Sequence, residues 1–314
     1  MIDRKYMKSA QLGVAASVAF AVVLAGAAGA EEATPDAPSA ALSEPALRLG
    51  GTAGIDFGFL HLEGDEVDIP QASNGLVRGR GAVSIPFLDW NSFQVDVIGE
   101  RPLNESTDDD KTTGDLTFAG HLSHRDPSAY LVGVFGGGGM TFDDGDDSDL
   151  LAFYFAGAEA QLYWNAWTFH GQAGYLDGED QFRETIEDAG FGRAVAGYYY
   201  QPNGKVSAEL SYLRGDRPNG SGGDGNLELI GWGVKVERFA HCDCLPGPVG
   251  ISLAYDGYDF QATNETDSPE VHELRLGFRL LFGGRSLLDN DRRAAGLDLP
   301  MINRWVSTSV NEIE

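Results

Sequence analysis

The sequence holds only two cysteines, Cys242 and Cys244, in 314 residues. That is too few for a disulfide-stapled scaffold. After its first thirty residues it has no apolar stretch of about twenty, which excludes a bundle of membrane-spanning helices. Basic residues are scarce: 22 Lys and Arg stand against 48 Asp and Glu, a net charge of −26. Such a balance leaves no basic stripe for nucleic acid. It also opposes docking on an anionic surface without divalent cations.

What the chain has instead is alternation. From Leu49 to Phe282, runs of roughly ten residues repeat about twelve times, with apolar side chains at every second position. In residues 205–214, Val206, Ala208, Leu210 and Tyr212 oppose Lys205, Ser207, Glu209 and Ser211. In residues 75–87, Val77, Val83 and Ile85 oppose Arg78, Arg80 and Ser84. A period of two is that of a strand with two unlike faces. A soluble sandwich alternates as well, but some of its strands would be apolar on both faces. Here nearly every run sets an apolar face against a polar or glycine face. The exceptions are residues 129–140, where Leu131 and Phe135 interrupt the polar face, and residues 190–201.

Connectors alternate too. Short ones fall at residues 88–91, 125–128, 165 and 202–204; between them lie longer, acidic ones. Tryptophan and tyrosine gather near the ends of the runs, where an aromatic girdle would meet a membrane surface. The pattern predicts an antiparallel up-and-down transmembrane β-barrel of about 12 strands, with short periplasmic turns and long acidic outer loops. An even strand count puts both ends of the barrel in the periplasm.

Outside the barrel the expected organisation is as follows. Residues 1–30 read as a signal peptide: Arg4, Lys5 and Lys8, an apolar stretch, then Ala28-Gly29-Ala30. Its removal takes the net charge from −26 to −28, since it carries one acid and three bases. Residues 31–47 read as a disordered linker rich in Ala, Pro, Ser and Glu. The barrel spans 48–282, and residues 283–314 form a periplasmic tail, amphipathic enough to cover the periplasmic mouth or bind a periplasmic partner, with a loose tail as the alternative.

The last run, Leu274-Arg275-Leu276-Gly277-Phe278-Arg279-Leu280-Leu281-Phe282, is similar to the terminal assembly signal of porin-type outer-membrane barrels of Gram-negative bacteria. That signal has a mid-strand glycine, alternating apolar positions and a final aromatic. The resemblance implies folding by the barrel-assembly machinery and contact with outer-membrane lipid and lipopolysaccharide. It assigns no subfamily. In most such proteins the chain stops at the aromatic, whereas here a tail follows.

Parity places Arg78, Arg80, Asp96, Glu159, Arg193, Glu209, Lys235, Arg275 and Arg279 on the lumen face, as a mixed-charge solute pathway. Four of these, Arg78, Arg80, Arg275 and Arg279, share one wall once the first and last strands meet. Guanidinium forks on that wall suit carboxylate or phosphate groups. A charge-paired structural lining is the alternative. The acidic run Asp143, Asp144, Asp146, Asp147 and Asp149 offers oxygens for Ca²⁺ or Mg²⁺, but its spacing is not that of a calcium loop. Solvation of a surface loop explains it as well. No other cofactor is expected. His121 and Ser123 share a face, as a hydrolase pair would, but no third group orients the histidine. Cys242 and Cys244 suit either a strained disulfide or a metal turn.

The expected function is a porin-like channel for passive diffusion of ions and small polar solutes, as a monomer or homo-oligomer. The alternatives are a non-conducting structural or adhesive barrel and, at a distance, an outer-membrane lipid-modifying enzyme.

Overall fold

The computed structural model describes residues 47–63, 73–103, 114–142, 150–179, 186–219, 223–241, 247–262 and 270–311. The candidate signal peptide, nearly all of the linker, the acidic run 143–149 and both cysteines lie outside these residues.

Twelve strands form one closed antiparallel barrel. They are β1 (Gly50–Glu63), β2 (Ser73–Phe87), β3 (Asn91–Pro102), β4 (Gly114–Asp126), β5 (Tyr130–Phe142), β6 (Leu150–Trp164), β7 (Trp167–Glu179), β8 (Glu187–Gln201), β9 (Gly204–Asn219), β10 (Gly223–Ala240), β11 (Val249–Ala262) and β12 (Glu270–Phe282). Each strand pairs with its sequence neighbours, and β1 closes on β12 with Gly51 opposite Phe282 and Phe59 opposite Leu274. The closure leaves no exposed edge, so every strand completes its backbone hydrogen bonds without water, as a lipid environment demands.

The outer surface inverts that of a soluble protein. Phe57 is 46% exposed, Val134 55%, Leu210 64% and Ile251 53%. Inward neighbours such as Asp56, Gln94, His121 and Glu273 are buried. Large side chains exposed on every strand are an apolar belt for lipid. Trp164 and Trp167, with the Tyr198 ring tilted against Trp167 at 4.9 Å, lie at the short-turn end. Tyr154 and Tyr175 lie toward the other end. Tyr154 and Trp164 are ten residues apart on β6. At a rise of about 3.3 Å and a tilt of ~40°, the two girdles stand about 25 Å apart, the height of an apolar membrane band.

Tight turns hold the short end. Between β6 and β7, Asn165 adopts φ 51, a left-handed conformation that asparagine tolerates better than most residues.

After β12 the chain does not leave the barrel. Gly283 has φ +85, which turns the backbone inward where a side chain would be strained. Two helices follow, α1 (Leu287–Arg293) and α2 (Ile302–Asn311). Ser286 caps α1 by accepting from the Asp289 amide at 3.1 Å. The tail expected at the periplasmic mouth therefore docks within the bore itself.

Candidate functional site: an occupied bore

The tail runs from the short-turn end toward the long-connector end, and each level of the bore holds it differently. At the short-turn end, α1 packs Leu287 and Leu288 against Tyr199, Phe239 and Leu281. Lys205 reaches Asp291 at 2.8 Å and the Tyr199 hydroxyl donates to the same oxygen at 2.6 Å. Arg292 lies 4.9 Å from the Tyr163 ring and donates to the carbonyls of Asn165 and Trp167, both at 2.9 Å.

At the middle level, the wall reads the tail's backbone. Arg125 donates to the Ala294 carbonyl at 2.9 Å, Gln161 to Gly296 at 3.2 Å, Gln94 to Leu297 at 2.8 Å and Gln172 to Asp298 at 2.9 Å. An extended segment has no helical partners for these carbonyls, so glutamine and arginine side chains supply them. Arg193 grips the Asp298 carboxylate with both terminal nitrogens, at 3.0 and 3.3 Å.

Toward the long-connector end the bore turns apolar. The inward residues Phe135, Phe153, Phe155, Leu176, Phe191, Leu213 and Leu229 enclose Leu299, Ile302, Trp305 and Val306 of the tail. Trp305 is fully buried and meets Phe191 edge-on at 5.8 Å. Arg304 pairs with Glu100, and Asn303 donates to Asp115 at 3.0 Å. The expectation of an inward face that is polar or glycine nearly everywhere is thus corrected. It holds best at the middle level: Leu131, Tyr163, Tyr199, Phe239 and Leu281 are apolar or aromatic inward positions at the short-turn end, and much of the other half is an apolar chamber filled by the tail.

All nine lumen residues named from parity point into the bore. Their partners differ from a row of four free arginines. Arg80 pairs with Asp56 at 2.7 Å, Arg279 with Glu237, and Arg275 with Asp256. Arg78 binds Glu100 and also Glu273, at 3.3 Å from the latter. Asp96 and Glu159 face each other across His121, at 3.2 and 2.8 Å from its two ring nitrogens. Arg193 pairs with Glu209 at 2.7 Å and Lys235 with Glu237 at 3.4 Å. This is a charge-paired wall, as buried ions require. His121 is committed to those two carboxylates and stacks on Phe135 at 5.7 Å, while Ser123 bonds Ser92 at 2.9 Å. The two do not form a nucleophile–base pair.

Beside the tail remains a cavity of about 160 Å³, bordered by Arg80, Lys235, Arg275 and Arg279 on the wall and by Asp291, Asp298 and Met301 on the tail. That volume admits several waters.

Parity could not show the tail's docking, because its partners are spread over most of the barrel's strands. Its one sequence signal was the apolar Leu131 and Phe135 on an otherwise polar face of β5, together with Leu297, Leu299 and Trp305 beyond the last strand.

No family model matches the chain, and no curated protein matches it. Among solved structures it is similar to an outer-membrane channel from Pseudomonas putida F1, with a TM-score of 0.54 and 11% identity over 76% of this chain and 97% of that one. It is similar also to the KdgM porin (TM-score 0.39, 9% identity, 72% and 98% covered) and to a FadL homologue from Pseudomonas aeruginosa (0.41, 9%, 77% and 94%). At such identities the likeness is one of fold: the chain shares the architecture of outer-membrane β-barrel channels.

Proposed function

We propose that this protein is an outer-membrane channel for passive diffusion of ions and small polar solutes, closed at rest by its own C-terminal segment. The observation that carries this reading is the charge-lined gap between the tail and the barrel wall. Selection would come from the size of the gap and the field of its charges. The short turns would face the periplasm, with both ends of the barrel there, and the acidic connectors would face outward. Assembly through the β12 signal, contact with lipopolysaccharide aided by divalent cations, and association with further copies belong to the same reading.

Planar-bilayer recording tests it. The full-length protein is expected to give small, infrequent steps, and a Trp305→Ala variant larger and more frequent ones. A bilayer that stays silent for both contradicts the channel.

A second reading has its own support. Trp305 and Ile302 are buried as fully as residues of a soluble core, and Arg304 is paired inside the bore. A barrel filled in this way also suits a non-conducting structural or adhesive protein that displays acidic loops.

A further inference from the structure

The bore changes character across one step of the wall. Glu159, Gln172 and Arg193 are register partners on β6, β7 and β8 and make a polar level. The next inward level holds Gly157, Gly174, Phe191 and Leu213. Consecutive inward positions on one strand are about 7 Å apart. A guanidinium fork and an aromatic chamber are therefore neighbours on the single strand β8.

The tail occupies both. Asp298 gives its carboxylate to Arg193, with His170 Nδ1 at 3.6 Å, and Leu299, Ile302 and Trp305 fill the chamber above. In chemical terms Asp298, Leu299, Ile302 and Trp305 present one carboxylate beside an apolar, aromatic surface, while Asn303 and Arg304 of the same segment turn to Asp115 and Glu100. The grip is approachable from the gap: the Asp298 side chain is 57% exposed and that of Arg193 only 5%. Glu209 holds one edge of Arg193, while Nη1 serves the Asp298 carboxylate and also donates to the Gln172 side-chain oxygen; the Gln172 amide donates to the Asp298 backbone carbonyl.

We propose that this junction is a binding site for amphiphilic carboxylates, such as aryl-alkanoic or medium-chain acids, and that residues 298–305 are its resident competitor. A free acid of this class takes the Arg193 fork and the chamber in place of Asp298 and Trp305, and so releases the tail. The consequence for conduction rests on the channel reading above; the binding competition does not.

The test uses the full-length protein in nanodiscs, with 3-phenylpropionate as probe and 3-phenylpropanol and propionate as controls. Amide hydrogen exchange of residues 294–306 reports release of the tail, and bilayer recording reports conduction. At ten times its dissociation constant the probe is expected to raise exchange of this segment about tenfold by competition. Neither control should match it. Asp298→Asn, which removes the competing carboxylate without altering the wall, should bind 3-phenylpropionate more tightly; Arg193→Gln should lose the response. Exchange that is unmoved by the acid in both the wild type and Asp298→Asn overturns the proposal, and so does an alcohol as effective as the acid. Should exchange rise without added conductance, the site stands and the channel reading fails. Conductance with an unresponsive tail leaves the channel and removes this site.

Discussion

Lys205 of β9 and Asp291 of α1 stand 2.8 Å apart, each little exposed, with the Tyr199 hydroxyl on the same carboxylate oxygen. This contact ties the first turns of the tail to the wall at the short-turn end. Removing one member leaves a partly buried charge without its counterpart. Asp291→Asn is expected to weaken docking of α1 by about 1–3 kcal/mol. Hydrogen exchange of residues 287–293 reads that loss, while exchange in the strands stays unchanged.

Trp305 is the tail's largest anchor. Trp→Ala substitutions in cores cost about 3–5 kcal/mol, and here the cost falls on docking rather than on the barrel's hydrogen-bonded ladder. Trp305→Ala should free residues 297–306 to exchange and leave the circular dichroism of the strands as it was. Collapse of the whole barrel on this substitution would mean that the tail is a core element and not a removable plug.

Much of this architecture was legible in the sequence, for a physical reason. Lipid outside and water or ions inside make opposite demands on adjacent residues, so period two survives on almost every strand. Arg78, Glu159 and Lys235 thus read as inward from parity alone. Pairing was less legible: Asp56 lies opposite Arg78 in register yet bonds Arg80, because Glu100 and Glu273 claim Arg78. The tail was the least legible part. Its carbonyls are read by Gln94, Gln161 and Gln172, which lie far away in the chain and carry no local signature. Asp143, Asp144, Asp146, Asp147 and Asp149 fall outside the described residues.

Gly283 sets the direction of the tail. With φ +85, a β-branched residue there costs about 1–2 kcal/mol of backbone strain. Gly283→Val should raise exchange throughout residues 284–306 by a common factor, because it disfavours the turn that feeds them all. An effect confined to residues near 283 would show that the later contacts alone fix the segment.

The outer belt distinguishes a membrane barrel from a soluble one. Leu210 is 64% exposed near the middle of β9. In a bilayer, Leu210→Arg should cost about 2–4 kcal/mol of folding stability. In a soluble barrel such an exposed change stays within about 0.5 kcal/mol. Denaturant titration of refolding into lipid vesicles separates the two values.

Single-channel conductance of the full-length protein beside its Trp305→Ala variant tests the central claim most directly, that the bore is a route held shut by the chain's own C-terminal segment. The account predicts rare, small steps for the intact chain, and larger, more frequent steps once Trp305 no longer anchors the plug. Equal conductance for the two proteins, whether wide open or silent, would contradict it.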